Sequence, residues 1–187
     1  MARIFSLRNE VFEVPVAMGL HFGWAGIDHE VGSQIAFQEQ FLSFYRFLYE
    51  NIQSVPQENP HFAPRPISLS LRAGALKAYV LTATSIIEGA LAELLANRGV
   101  QNREALHRRT FGQLLGIIER NEQLLESFNE IWEQLVLIKR YRNFVHLGNA
   151  AHDQNAYWQD LLEQEGNLLA ACDATIEWLS QECDGNP

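Results

Sequence analysis

Cysteine is scarce in this chain: two among 187 residues, Cys172 and Cys183, eleven apart. No paired spacing and no Cys/His cluster accompanies them, which argues against a disulfide framework and against a structural zinc site. Two thiols in a chain of this size suit a reducing compartment. Lysine is equally rare, with Lys77 and Lys139 against twelve arginines. No apolar run is free of polar breaks over bilayer length. The nearest, Ala78–Ala96, is interrupted by Thr82, Thr84, Ser85, Glu88 and Glu93, and its small residues suit close helix packing. Met1–Glu10 contains no apolar stretch of signal-peptide length, so a cytoplasmic location and no membrane partner are expected. Ser-x-Gly elbows, P-loops and Gly-x-Gly-x-x-Gly after a strand are also missing, which sets aside the common hydrolase, NTPase and dinucleotide-binding classes.

What is present is a soluble globular composition: 47% hydrophobic and 20% charged residues, with mean hydropathy −0.14. The length predicts one domain with a core large enough to need no staples. The net charge of −9 weighs against a surface coated in positive charge for nucleic acid. It is unevenly distributed, however. Residues 1–64 hold three basic residues against seven acids, residues 65–118 hold seven against three, and residues 119–187 hold four against thirteen. The middle of the chain is therefore net +4.

The pattern along the chain predicts an all-α protein, an up-and-down helical bundle with a small irregular or short-strand N-terminal arm over 1–32. Ile4–Val16 mixes β-branched, aromatic and charged residues, and Gly19, Gly23, Gly26 and Gly32 follow closely. A helix over about 33–53 is expected, with Ser33 as N-cap and Phe37, Phe41, Phe44 or Tyr45, and Leu48 at helical spacing. Pro56, Pro60, Pro64 and Pro66 then mark an extended linker over 55–66. Four further helices are expected: 70–97 closed by Gly99; from Thr110 to about Asn121; from Ser127 through Ile131, Leu135, Ile138 and Val145 to Gly148; and about 153–181. Thr110-Phe111-Gly112-Gln113 and Ser127-Phe128-Asn129-Glu130 both have capping-box form. The last helix carries Leu161, Leu168, Cys172, Ile176 and Leu179 on one face.

The stretch with most chemistry is Lys139-Arg140-Tyr141-Arg142-Asn143-Phe144-Val145-His146-Leu147-Gly148. Lys139, Arg142 and His146 are three and four apart and share a helix face. Arg140 is turned about 120° from His146 at roughly 3.6 residues per turn. On helix electrostatics alone the cluster is explained as cations against the carbonyl end of a helix, worth about 0.3–1 kcal/mol. Elsewhere, Arg98–Arg109 reads as a solvated connection and helix start; His107, beside Arg108 and Arg109, is expected to face solvent, with contact to a nucleic-acid phosphate as the second reading. Glu119, Glu122, Glu126, Glu130 and Glu133 read as a solvent-facing stripe. Glu88, in an apolar helix, needs a basic partner, with Arg140 or Lys139 as candidates.

That stretch and the helices around it, over about residues 68–182, resemble the HEPN superfamily of nucleotide-associated helical domains. The family motif is an Arg, often followed by a polar residue such as Asn, with four to six residues before a His. Arg140-x5-His146 fits the spacing, while Arg142-Asn143 matches the Arg-Asn pair with one residue too few, so both arginines stay open as the motif residue. The helix with Ser85-Ile86-Ile87-Glu88 and the helix start Thr110-Phe111-Gly112-Gln113-Leu114-Leu115 belong to the same resemblance.

The resemblance implies metal-independent RNA cleavage with no cofactor, at a composite site where two copies of the motif helix meet in a homodimer. The implied site residues are Arg140, Arg142, Asn143 and His146: the imidazole for proton transfer, the guanidiniums for the scissile phosphate and Asn143 as orienting group. A toxin or anti-phage defence role with an antitoxin partner is implied with it. Gly148 stands where some family toxins carry a modifiable Tyr, so neutralisation at that position is not expected. A catalytically inactive HEPN-like module that dimerises and binds a nucleotide or a protein is the alternative.

Overall fold

A computed structural model of the chain describes residues 6–7, 10–11, 24–51, 66–143 and 160–185. Its elements are strands β1 (Ser6–Leu7) and β2 (Glu10–Val11), and helices α1 (His29–Asn51), α2 (Pro66–Asn97), α3 (Arg103–His107), α4 (Phe111–Glu119), α5 (Glu122–Ser127), α6 (Trp132–Asn143) and α7 (Glu165–Asp184). Among the described residues the protein is all-α apart from one antiparallel two-residue pairing, Ser6 with Val11 and Leu7 with Glu10.

A helix that is apolar on every side has no face to give to water and must be surrounded. The α2 helix meets that condition, packing against α1, α3, α4, α6 and α7. Ala83, Ile86, Ile87, Ala90, Leu91, Leu94 and Leu95 along it are fully buried, each large side chain contributing about 1.5–3 kcal/mol. By length and composition Arg72–Asn97 would also pass as a membrane span, but about 72% of its apolar window is buried within the protein. Its end is a Schellman turn: Gly99 takes φ +69°, and the Val100 and Gly99 N–H groups donate to Leu95 and Ala96 at 3.0 and 2.9 Å.

Several element boundaries differ from the sequence expectation, each for a local reason. Asp28, not Ser33, caps α1, accepting from the Glu30 and Val31 N–H groups at 2.9 and 3.4 Å. Ser33 lies inside the helix, and its hydroxyl donates back to His29 O. The buried face of α1 carries Ile35 and Tyr49, with Val31, Leu42 and Tyr45 packed against the core, whereas Phe37 and Phe41 are exposed. Pro66 opens α2 instead of ending the linker, as suits a residue with no N–H to lose in a first turn. Residues 55–65 lie outside the described residues.

In the second half, Asn121 stops α4 and starts α5 by accepting from Gln123 and Leu124 N–H at 3.1 and 3.2 Å. Ser127 ends α5 rather than starting α6. Its hydroxyl donates to Leu124 O at 2.7 Å and accepts from Arg98 at 2.8 Å. The Thr110 turn follows the expectation, with Thr110 N–H donating to the Gln113 side chain at 3.0 Å. Residues 160–163 are helical and lead through a turn at Gln164 into α7. Val145, Gly148 and the expected helix start near 153 lie outside the described residues.

Two polar clusters fasten α1 and α2 to α7. Arg72 reaches Glu165 with Nε and Nη2, both at 3.0 Å, donates to the Tyr49 hydroxyl at 2.7 Å, and lies over the Tyr49 ring at 4.2 Å. Burial, together with the Glu165 carboxylate, pushes the Tyr49 hydroxyl up to about 12. The hydrogen bond from Arg72 holds Glu165 below the usual carboxylate range. One helical turn pair further along, Tyr79 and Arg46 both donate to Asp173. Burial first, and Asp173 second, raise the Tyr79 hydroxyl.

Candidate functional site

The α3 helix and its turn into α4 lie across α2 and are held there by a buried carboxylate. Glu93 of α2 is fully buried, and a buried carboxylate is tolerated only when its lone pairs are satisfied. Here it accepts from Asp28 N–H at 2.8 Å, meets His107 Nε2 at 2.6 Å and faces Arg103 Nε at 3.2 Å. Neighbouring bonds brace the same corner. Asn97 donates to Gly26 O at 2.7 Å and accepts from Arg103 at 3.2 Å. The segment 24–28 and α3 are thus joined to one point on α2.

One turn earlier on α2, Glu88 accepts from the Phe111 N–H at 3.0 Å, filling an orphan donor in the first turn of α4. Its basic neighbour is Arg142, at 3.9 Å. This corrects the pairing with Arg140 or Lys139 expected from the sequence. Glu88 is also not buried; its side chain is 32% exposed. It stands at the rim of a cleft of about 300 Å³ lined by Ser85, Glu88, Gly89, Ala92, Leu106, His107, Arg109 and Arg142. The polar groups are contributed by α2, α3, the α3–α4 turn and α6.

The four motif residues divide as follows. Arg142 lines the cleft. Arg140 does not: it is exposed, with its guanidinium 5.4 Å from the Tyr141 ring centre. Tyr141 in turn donates to Asp160 at 3.1 Å, and burial followed by that hydrogen bond raises its hydroxyl above the ordinary range. Asn143 is the last residue of α6, and His146 lies outside the described residues. Lys139 is half-buried, its stem passing beside Gly112. The structure therefore gives different surroundings to two arginines the sequence leaves equivalent.

His107 was missed. The sequence favours solvent for it, but it is paired with Glu93 and borders the cleft, with its side chain 31% exposed. The signal that existed was the triplet His107-Arg108-Arg109 in the basic middle of the chain. Its neighbours behave differently: Arg108 pairs with Glu104 on the surface, while Arg109 lines the cleft. The glutamates at 119, 122, 126, 130 and 133 are all exposed. Among the described residues, no group of three or more His, Cys, Asp or Glu side chains is gathered to hold a metal ion.

Compared with known proteins, the chain matches no family model, no curated protein and no solved structure. The case for its function therefore rests on its residues and their geometry. Chemically, the cleft offers two guanidiniums and an imidazole against one carboxylate, with Ala92 and Leu106 buried beneath them. That arrangement suits an anionic group.

Proposed function

We propose that the protein is a metal-independent endoribonuclease of HEPN type, working as a cytoplasmic homodimer in a toxin–antitoxin or anti-phage defence setting. In this reading residues 33–187 form the HEPN-like helical domain, with the proline-rich linker 55–66 inside it, and residues 1–32 are an arm attached to it. RNA is the substrate and an antitoxin is the protein partner. The observation that carries the reading is the position of Arg142: on the motif helix, at the rim of a cleft that also holds Arg109 and His107.

The chemistry follows from the side chains. An imidazole at His146 exchanges protons near neutral pH and serves as base toward a ribose 2′-hydroxyl or as acid toward the leaving oxygen. A guanidinium gives paired, charge-assisted hydrogen bonds to a phosphate gaining charge. Arg142 is the better-placed grip; Arg140 and Asn143 complete the motif, Asn143 as an orienting hydrogen-bonder. The 2′-oxygen attacks phosphorus, the 5′-oxygen leaves with a proton, and the products are a 2′,3′-cyclic phosphate and a 5′-hydroxyl. Purified protein incubated with RNA in chelator tests this. Cleavage with those termini, lost in His146→Ala, is expected; no cleavage, or cleavage that survives the substitution, overturns it.

One observation favours the alternative, a catalytically inactive HEPN-like dimerisation or nucleotide- or protein-binding module. Glu88 stands 3.9 Å from Arg142 and offsets part of its charge. Growth separates the two readings. A toxin arrests cells on expression and His146→Ala relieves the arrest, whereas a binding module does neither.

A further inference from the structure

Cleavage as proposed above moves two protons, one off the 2′-hydroxyl and one onto the departing 5′-oxygen. The motif brings one imidazole per chain, His146, and its arginines keep their protons throughout. The cleft holds a second imidazole that the motif does not use, His107, beside Arg109 and Arg142. Its setting is unlike that of a surface histidine. Glu93 is fully buried, accepts from the Asp28 N–H at 2.8 Å and faces Arg103 Nε at 3.2 Å, so it meets the ring from a fixed position. The contact, 2.6 Å to Nε2, places a hydrogen on Nε2, because an ionised carboxylate only accepts. Nδ1 is then the ring nitrogen left to gain or lose a proton. The side chain is 31% exposed and borders the cleft. A buried carboxylate behind an imidazole fixes its tautomer and its orientation, the arrangement in which such a ring hands a proton to a reacting atom.

We propose that His107, oriented by Glu93, is the general acid of the cleavage, its Nδ1–H protonating the departing 5′-oxygen of a phosphate held by Arg142. The 2′-oxygen–phosphorus bond forms as the 2′-proton passes to His146. The phosphorus–5′-oxygen bond breaks as the Nδ1 proton passes to that oxygen. Nε2 keeps its hydrogen toward Glu93 throughout, and exchange with water returns both imidazoles to their starting forms. His107 is thus a catalytic residue and Glu93 a positioning residue. The assignment rests on the ribonuclease reading and leaves His146 the role of base.

Sulfur substitution separates an acid from a part that only holds the structure. Once the cleaved bond in an RNA oligonucleotide is mapped, the same oligonucleotide is made with sulfur in place of the bridging 5′-oxygen at that bond. A thiolate is a far weaker base than an alkoxide and departs without a proton. Rates on both substrates are measured in chelator for the full-length native protein, His107→Gln, Glu93→Gln and Arg108→Ala, each checked for native-like circular dichroism. The Gln amide at 107 still donates to Glu93, which keeps the corner folded. His107→Gln should slow the oxygen substrate by about a hundredfold or more and the sulfur substrate by less than about threefold. Glu93→Gln should show the same split, with a loss of roughly tenfold or more on oxygen. Arg108→Ala, on the surface beside Glu104, should match the native protein on both. Equal losses on the two substrates, or no loss in His107→Gln, overturn the acid role while the native cleavage keeps the ribonuclease reading; the proton then comes from the second copy of the motif. Native protein that cuts neither substrate overturns the ribonuclease reading and the acid role with it.

Discussion

Arg142 on α6 and Glu88 on α2 approach to 3.9 Å across the cleft, while Glu88 spends a hydrogen bond of 3.0 Å on the Phe111 N–H. The carboxylate is thus a cap for α4 first and a counter-charge for Arg142 second, and its hydrogen bond leaves Arg142 able to turn toward a ligand. Replacing Glu88 by Gln separates these roles. The amide oxygen still accepts from Phe111, so the melting temperature should hardly change. In the binding-module reading, removal of the negative charge should strengthen nucleotide binding on the order of fivefold, as befits a pair about one-third exposed on each side and worth about 1 kcal/mol. Calorimetry on Glu88→Gln beside the native protein measures it.

Glu93 is the anchor of α3 and the 24–28 segment. Glu93→Ala strips the partner from His107 and Arg103 and leaves the Asp28 N–H without its acceptor. A loss of about 1–3 kcal/mol in urea unfolding is expected, with faster hydrogen exchange at 24–28 than elsewhere.

Packing supplies the largest single-residue effect. Phe128 is fully buried, its ring 5.2 Å from that of Trp178 and 5.1 Å from the Arg98 guanidinium. Phe128→Ala should cost about 3–5 kcal/mol, measured by chemical denaturation, because three elements lose one shared partner.

How much of this was legible in the sequence depends on how many packing solutions each pattern allows. Leu161, Leu168, Cys172 and Leu179 toward the end of the chain, and Ile131, Leu135 and Ile138 just before and within α6, were readable because apolar residues recur there at helical spacing; all seven are buried, while Ile176 is only partly so. The α1 face was not, since aromatic residues occur on several sides and spacing alone does not say which side meets α2. Ser127 illustrates a second failure. Its sequence has capping-box form, but Arg98 competes for the hydroxyl, and Asn121 has already placed the break six residues earlier. The cleft was half legible: Arg142 stands in a recognisable stretch, whereas His107 gains meaning only from Glu93, fourteen residues away and invisible to local spacing.

Alkaline pH should loosen the α1–α2–α7 contact. Burial raises the Tyr49 hydroxyl from 10 to about 12, so the folded state holds this proton more tightly than the unfolded chain. The associated stability is fully present below pH 10 and is lost as pH rises from 10 toward 12. Tyr79, raised in the same direction by burial and Asp173, adds to the loss. Urea midpoints across that range should fall more steeply for the native protein than for Tyr49→Phe, which has no proton to lose.

The account turns on the motif arginine that enters the cleft, and one comparison tests it. RNA cleavage rates of Arg142→Ala and Arg140→Ala, measured in chelator beside the native protein, should diverge. Loss of a guanidinium on the reacting phosphate should slow Arg142→Ala by about a hundredfold or more. Arg140→Ala, exposed over Tyr141 and outside the cleft, should stay within about threefold, as surface changes do. A native-like rate for Arg142→Ala, or the larger loss at Arg140, would contradict the placement of the phosphate in this cleft.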